Sequence, residues 1–217
     1  MNQKNKQITS DVEVEVITPK QDEFMQNTFE EFLEDRQIIL NDYVDDKLLE
    51  RAVLQIMKFN KEDQGKSVES RVPIILHINT LGGDVSSGLS LIDVIQTSKT
   101  PVYGVCHKAY SMGLYILLSC HKRFMFKNAT CLLHEGSVGS HDSNMKFLDL
   151  AGYVSELNGR LKQLLLEKTN IEEEEYDRRK RDEWYIFGWS NGELPSAKDL
   201  GIVDYVIGED VELDEIL

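Results

Sequence analysis

The stretch that decides the fold is VPIILHIN at residues 72–79, followed by TLGGD at 80–84 and VSSGLSLIDVIQ at 85–96. The first eight residues are almost continuously apolar, which is typical of a strand that is buried on both faces of a parallel sheet. The glycine pair predicts a tight turn, and the apolar residues of 85–96 recur at helical spacing. This stretch therefore predicts a strand, a glycine turn and a crossover helix.

The same alternation continues along the chain. PVYGVC at 101–106 predicts a strand and MGLYILLS at 112–119 a helix, while RFMF at 123–126 and TCLLHEG at 130–136 predict two short strands. Repeated strand and helix segments of this kind are typical of an α/β protein with a mostly parallel sheet and crossover helices.

The segment before residue 72 begins with an N-terminal arm. We expect residues 1–28 to form this arm, which contains the alternating sequence VEVEV at 12–16, and residues 29–217 to form one globular domain. Within that domain the pattern predicts a short helix at 29–33, a strand at 37–40 and a helix from about residue 45.

A long helix is predicted from residue 143 to residue 169. Its apolar residues repeat at spacings of three and four, as in a coiled-coil seam: Phe147, Leu150, Val154, Leu157, Leu161 and Leu164. A seam of this length packs on another helix, either within the chain or on a neighbouring subunit, and the pattern leaves both alternatives open.

Composition and charge exclude several classes of protein. The chain of 217 residues has a formal charge of −14, which argues against a surface that binds nucleic-acid phosphates. It has neither a signal-peptide pattern nor about 20 consecutive apolar residues, so we expect a cytoplasmic protein without a membrane span. Its three cysteines, Cys106, Cys120 and Cys131, lie in apolar segments without metal-type spacing, which predicts reduced thiols in the core.

A candidate nucleophile follows the strand at 101–106. In the sequence AYSMG at 109–113, Ser111 stands between a strand and a helix, as in the G-x-S-x-G turn that exposes a catalytic serine. The alternative interpretation is an ordinary helix N-cap. The earlier pair Gly82-Gly83 would let backbone amides approach a substrate oxyanion, or would simply make the turn before a helix that Asp84 caps.

Among the five histidines, His134 is the candidate general base because it follows an apolar strand, where loop residues carry function in α/β sheets. His107, four residues before Ser111, is the fallback base. His77 lies inside a strand and is interpreted as a satisfied core residue, whereas His121 and His141 are interpreted as surface residues.

Four segments together resemble the proteolytic subunit family of Clp proteases. They are HINTLGGDVSSGLSLIDVIQ at 77–96, KAYSMGLYILLSCHKRFMFKNATCLLHEG at 108–136, LNGRLKQLLLEKTN at 157–170 and SAKDLGIVDYVI at 196–207. The resemblance implies a crotonase-like α/β fold in which the long helix at about 143–169 protrudes as a handle. The chain departs from the family pattern at Tyr110, where a small residue is usual, and in an insert around residues 186–193.

The resemblance also implies a catalytic set. It assigns Ser111 as nucleophile and His134 as general base, with the backbone amides of Gly83 and Met112 as oxyanion donors. The family places its acidic residue after the long helix, in a charged segment before an aromatic residue, which favours Asp182. Glu183 and Asp177 are the second and third choices.

The activity that the resemblance implies is hydrolysis of peptides and unfolded proteins through an acyl-enzyme. The subunits would form a homo-oligomer of two stacked heptameric rings, joined by the seam at 147–164. No cofactor is implied in this subunit, and ATP would be used only by an AAA+ unfoldase that docks on the ring. Rival hypotheses are a catalytically silent subunit of a mixed ring, a crotonase-type acyl-CoA enzyme, and a peptidase with a dedicated task such as phage capsid maturation.

Overall fold

The computed structural model describes the backbone of residues 19–136 and 144–217 and the side chains of 26–136 and 146–217. The chain divides into two compact units, residues 1–35 and 36–217. Within the first unit, helix α1 spans Pro19–Glu34 and includes the predicted short helix. The VEVEV sequence lies outside the described residues, and the boundary after residue 28 stays a prediction.

The second unit contains a six-stranded sheet with helices between its strands. Its strands are β1 (Gln37–Leu40), β2 (Ile74–Thr80), β3 (Val102–Tyr110), β4 (Lys122–Leu133), β5 (Trp184–Phe187) and β6 (Tyr205–Ile207). Its helices are α2 (Leu54–Glu62), preceded by a π-helical turn at Leu49–Val53, α3 (Val85–Thr97), α4 (Met112–Ser119), α5 (Asn144–Lys168) and α6 (Glu173–Arg179), with short 3₁₀ turns at Val68–Ser70 and Leu213–Glu215.

The sheet has the order β1-β2-β3-β4-β5, with β6 also paired to β4. The first four strands are mutually parallel, β6 is parallel to β4, and β5 is antiparallel to β4. The prediction of a mostly parallel sheet with crossover helices is confirmed. The carboxyl ends of β2, β3 and β4 therefore meet at one edge, which positions the residues that follow them.

Two expectations for the strands need correction. The segments 123–126 and 130–133 are one strand, β4, whose pairing with β3 shifts register in between. The first half pairs with β6 and the second with β5, so the strand changes its neighbour along its length. On β2, Leu76 and Ile78 are fully buried, but His77 and Asn79, which alternate with them, are only half-buried, so one face of this strand is partly open.

Helix α5 confirms the predicted long helix, within one residue at each end. Towards its end Leu161, Leu164 and Leu165 are buried, but near its start Phe147 and Leu148 are about half exposed. The seam is thus covered within the single chain only along its second half.

Among the described residues no helix is long and apolar enough to cross a lipid bilayer.

The buried carboxylate of Asp63 forms hydrogen bonds that stabilise the second unit. The side chain of Asp63 is fully buried and accepts hydrogen bonds from Arg36, Lys66 and Thr100, at 2.6–3.0 Å. The Arg36 hydrogen bond is the main reason that the pKa of Asp63 lies well below its usual range, and it outweighs burial, which acts in the opposite direction. We therefore expect Asp63 to be ionised throughout the range in which the protein is folded.

Replacing Asp63 with asparagine is expected to cost ~3–5 kcal/mol of unfolding free energy, because Arg36 loses its charged partner in a largely buried site. A carboxylate with a depressed pKa stabilises the fold fully above about pH 4 and loses this contribution as the pH falls towards its folded-state pKa. Urea denaturation at several pH values should therefore show a gap between wild type and Asp63→Asn that narrows in acid. The control is Asp93→Asn, on the exposed face of α3, and an equal loss in both variants would contradict the prediction.

Candidate active site

Ser111 lies between β3 and α4 in a backbone conformation that is rare for a residue with a side chain. Its φ of 53° and ψ of −120° fall outside the regions that non-glycine residues usually occupy. The turn is fixed because the Ser111 amide donates to the carbonyl of Leu132 on β4, and the Leu114 amide donates to the Ser111 carbonyl. No described residue makes a hydrogen bond to the Ser111 hydroxyl, so the N-cap interpretation is not supported. Strain of this kind persists only where the surrounding structure enforces it.

The glycine pair after β2 lies directly against this turn. A side-chain carbon added to Gly82 would be 2.7 Å from both the Ser111 Cβ and the Tyr110 carbonyl oxygen, and 3.0 Å from the Met112 amide nitrogen. Gly82 also has a φ of +91°. Both its conformation and its surroundings therefore require glycine, and the turn after β2 is brought within contact of the serine.

Backbone amides near the serine differ in whether they are already hydrogen-bonded. The Gly82 amide donates to the Thr80 hydroxyl at 3.0 Å, and the Asp84 amide donates to the Val44 carbonyl at 2.8 Å. No described residue accepts from the amide of Gly83, or from that of Met112 at the start of α4. These two amides are therefore able to donate to an oxyanion.

Two residues that the sequence did not single out hold the glycine turn in place. Val44 receives the Asp84 amide and donates its own amide to the Gly82 carbonyl at 2.9 Å. Thr80 is 2% exposed, and its methyl group lies where a side chain on Gly113 would be, at 2.4 Å. Val44 acts through its backbone and so leaves no signal in the sequence, whereas Thr80 could have been noticed beside the glycine pair.

His134 follows β4 and is half-buried. In the parallel pairing of β3 with β4, Tyr110 lies opposite Leu132, so the residues that follow both strands leave the same edge of the sheet. The structure thus brings His134 to the same edge as Ser111. No hydrogen bond joins the two side chains, and no described carboxylate bonds to His134. In the absence of substrate such hydrogen bonds are often long or unformed.

The segment before β5 runs beside His134. Leu133 pairs with Trp184, and the Glu135 amide donates to the Lys180 carbonyl at 2.6 Å. The backbone of His134 lies between these two contacts and therefore runs beside residues 181–183. This placement favours a carboxylate from the turn between α6 and β5.

The three candidate acids differ in their surroundings. Asp182 is exposed and belongs to the segment beside His134, although the β4–β5 register, continued one residue past the Leu133–Trp184 pair, brings Glu183 opposite His134. Glu183 is also exposed and accepts a hydrogen bond from the Tyr185 hydroxyl at 2.9 Å. Asp177 lies on α6, where ion pairs with Lys162 and Lys180 at 3.0 and 2.9 Å occupy its carboxylate and lower its pKa.

Tyr110, next to the candidate nucleophile, is half-buried and is held by two side-chain contacts. Its hydroxyl lies 2.8 Å from the Thr130 hydroxyl, and its ring packs edge-on against the ring of Tyr185, with 5.8 Å between the centroids. The larger side chain at this position is therefore accommodated by contacts with β4 and β5.

Three other histidines have structural contacts. The His107 ring nitrogen Nε2 lies 3.2 Å from Nδ1 of His77, so the fallback base is paired on the sheet. Burial, with a smaller effect of His107, lowers the pKa of His77 to about 4. Nδ1 of His121 accepts from the Val102 amide at 3.0 Å. His141 lies outside the described residues.

The cysteines lie where the sequence predicted. Cys106, Cys120 and Cys131 are buried and form no disulfide, and the sulfur atoms of Cys106 and Cys131 are 4.0 Å apart. Burial raises the pKa of Cys120 to about 12, which makes its thiol unreactive.

The fold and the site define a class of protein: an α/β protein with a strained serine before an apolar helix, beside a glycine turn that offers free backbone amides. The chain belongs to the Clp protease family, whose family model matches residues 20–210. It is 28% identical over 189 residues to the ATP-dependent Clp protease proteolytic subunit 2 of Corynebacterium glutamicum, a comparison that covers 85% of this chain and 87% of that protein.

Proposed function

We propose that the chain is a catalytically active serine endopeptidase subunit that cleaves peptides and unfolded proteins. The observation that carries this proposal is the backbone of Ser111, held at φ 53° at the start of α4 with a hydroxyl that no described residue binds. A silent subunit would not need this strained conformation, which costs of order 1–3 kcal/mol. Membership of the Clp protease family supports the same reaction class.

In the proposed mechanism His134 takes the proton of Ser111 as the hydroxyl oxygen attacks the substrate carbonyl carbon. The imidazolium then gives this proton to the leaving amine, and a water molecule hydrolyses the acyl-enzyme by the reverse sequence. The amides of Gly83 and Met112 donate to the oxyanion, and each such donor typically contributes ~3 kcal/mol. Asp182 orients His134 and stabilises its charged form.

The acid can be identified by two isosteric changes. We expect Asp182→Asn to lower kcat for a fluorogenic peptide by up to ~10⁴-fold, because the imidazole would lose the group that fixes its tautomer. Glu183→Gln, which changes the adjacent carboxylate in the same way, is the matched control and should retain activity within about tenfold. A large loss in Glu183→Gln with little change in Asp182→Asn would reverse the assignment.

The assembly that we propose is two stacked heptameric rings. The partly exposed first half of α5 supports this, because Phe147, Leu148 and Tyr153 are each about half exposed in the single chain. Exposed apolar side chains along one helix are typical of an intersubunit contact. The name of the Corynebacterium glutamicum relative describes an ATP-dependent protease. We propose that an ATP-dependent unfoldase delivers substrates to the rings of this chain in the cytoplasm.

The second candidate function is a silent subunit of a mixed ring. It is favoured by one observation, namely that no hydrogen bond joins His134 to Ser111 or to a described carboxylate. A crotonase-type acyl-CoA enzyme would share the oxyanion donors but would not need a serine nucleophile.

Intact mass after treatment with a fluorophosphonate separates these functions. We expect one adduct per chain, mapped by peptide mass to Ser111, on a particle whose light-scattering mass corresponds to assembled rings. His134→Ala should slow the labelling, because the serine would lose its base. An assembled particle that takes up no adduct would refute the active peptidase and favour the silent subunit.

A further inference from the structure

Three polar side chains form a row across the partly open face of the sheet, outside the candidate active site. His77 on β2 lies between Gln37 on β1 and His107 on β3. Its Nδ1 is 3.2 Å from Nε2 of His107, and its Nε2 is 2.9 Å from Oε1 of Gln37. Three neighbouring strands therefore each contribute one side chain to the row.

The glutamine fixes the tautomer of the central histidine. Because Oε1 of Gln37 accepts a hydrogen bond, Nε2 of His77 carries the proton and Nδ1 carries a lone pair. That lone pair faces His107, whose Nε2–H donates to it. If the His107 proton moves to the other nitrogen of its own ring, two lone pairs face the same 3.2 Å gap and no proton is lost from the pair.

The spacing of the two nitrogens matches that of ligands on one metal ion. Two imidazole nitrogens at 2.0–2.1 Å from a tetrahedral ion are about 3.3 Å apart. The 3.2 Å separation in this protein is close to that value. Metal-bound imidazoles usually donate their second N–H to an oxygen, and Gln37 supplies this oxygen to His77.

The position of the pair also suits an ion from solution. His107 is exposed, which leaves an approach from solvent, and its ring packs on Phe126 with 4.9 Å between the centroids. His77 is half-buried and held from both sides by hydrogen bonds. Both imidazoles are thus oriented before any ligand binds.

We propose that His77 and His107 bind one divalent transition-metal ion of the class that prefers imidazole, such as Zn²⁺, Ni²⁺ or Cu²⁺. Gln37 is a positioning residue that holds the His77 ring. The described residues contain no group of three or more histidine, cysteine or acidic side chains suited to a metal, so water completes the coordination. This inference does not depend on the peptidase activity.

Calorimetric titration of the full chain, without an affinity tag, with Zn²⁺ alone tests the site. We expect one ion per chain, binding at least about tenfold weaker in His107→Ala, and about 10- to 100-fold weaker in Gln37→Leu, which removes the orienting oxygen. The control is His121→Asn, which deletes another imidazole while keeping an acceptor for the Val102 amide, and it should bind as wild type.

Copper provides a second readout that counts the ligands. The electron paramagnetic resonance spectrum of the Cu²⁺-loaded chain should show coupling to two imidazole nitrogens, reduced to one in His107→Ala. Circular dichroism of that variant, whose changed side chain is exposed, establishes that it is folded. Absence of Zn²⁺ binding, or binding that His107→Ala leaves unchanged, would overturn the proposal.

Discussion

Replacing Ser111 with alanine should lower peptide hydrolysis by ~10³-fold or more and leave the stability of the fold nearly unchanged. The chemical loss follows because no other group can form the acyl-enzyme. The stability is retained because no described residue binds the Ser111 hydroxyl. The measurements are kcat/KM for a fluorogenic peptide and the denaturation midpoint, with Ser90→Ala on the exposed face of α3 as control.

Replacing Ser111 with glycine instead tests the backbone strain at this position, because its effect on stability should differ from that of alanine. Ser111 has a positive φ, which glycine adopts without steric cost, so Ser111→Gly should be inactive but more stable than Ser111→Ala by about 1 kcal/mol. A strained residue that lowers the stability of the fold is expected where the strain serves catalysis. Residual hydrolysis within tenfold of wild type in both variants would rule out Ser111 as nucleophile.

Replacing Gly83 with alanine should lower kcat by ~10²–10³-fold, the typical effect of one lost oxyanion donor. An added side-chain carbon would lie 2.2 Å from the carbonyl oxygen of Val44, and Gly83 has a φ of +148°. Since the obstacle is backbone, the turn itself must move, and the Gly83 amide moves with it. The KM for the same peptide should change much less than kcat, because the donor acts mainly in the transition state.

The matched control for this change is Gly65→Ala. Gly65 also has a positive φ, of +90°, but an added carbon there would meet no atom within 4 Å. Gly65→Ala therefore introduces the strain of an alanine at positive φ, but no neighbouring atom has to move. If the two variants lose stability to a similar extent but only Gly83→Ala loses activity, the effect is local to the site, whereas equal activities would contradict the oxyanion role.

The elements of the fold were largely predictable because their signals are local. The apolar run before the glycine pair and the helix after Ser111 are each encoded within about ten residues, and the structure confirms both. Strand β4 was predicted as two strands because the polar residues in its middle, Lys127 and Asn128, interrupt the apolar pattern. Their pairing with neighbouring strands is a tertiary property, so the pattern alone could not join the halves.

The candidate site was predictable only in part. The sequence already placed the glycine pair, Ser111 and His134 at one edge of a parallel sheet, because each of them follows one of three successive predicted strands. The turn that brings Gly82 against Ser111 depends on Val44, which contributes only backbone atoms. Such contacts are the same for almost any side chain and leave no trace in the sequence.

The sequence alone was enough to predict most strand and helix segments, the family resemblance and the candidate nucleophile and base, since these depend on side-chain type and local spacing. The folded structure was needed to show that the amides of Gly83 and Met112 have no described acceptor, that the backbone of His134 runs beside residues 181–183, and that His77 pairs with His107. Those features arise from strand register and from contacts between residues distant in the chain. These contacts result from the close packing of the folded sheet, which no local pattern encodes.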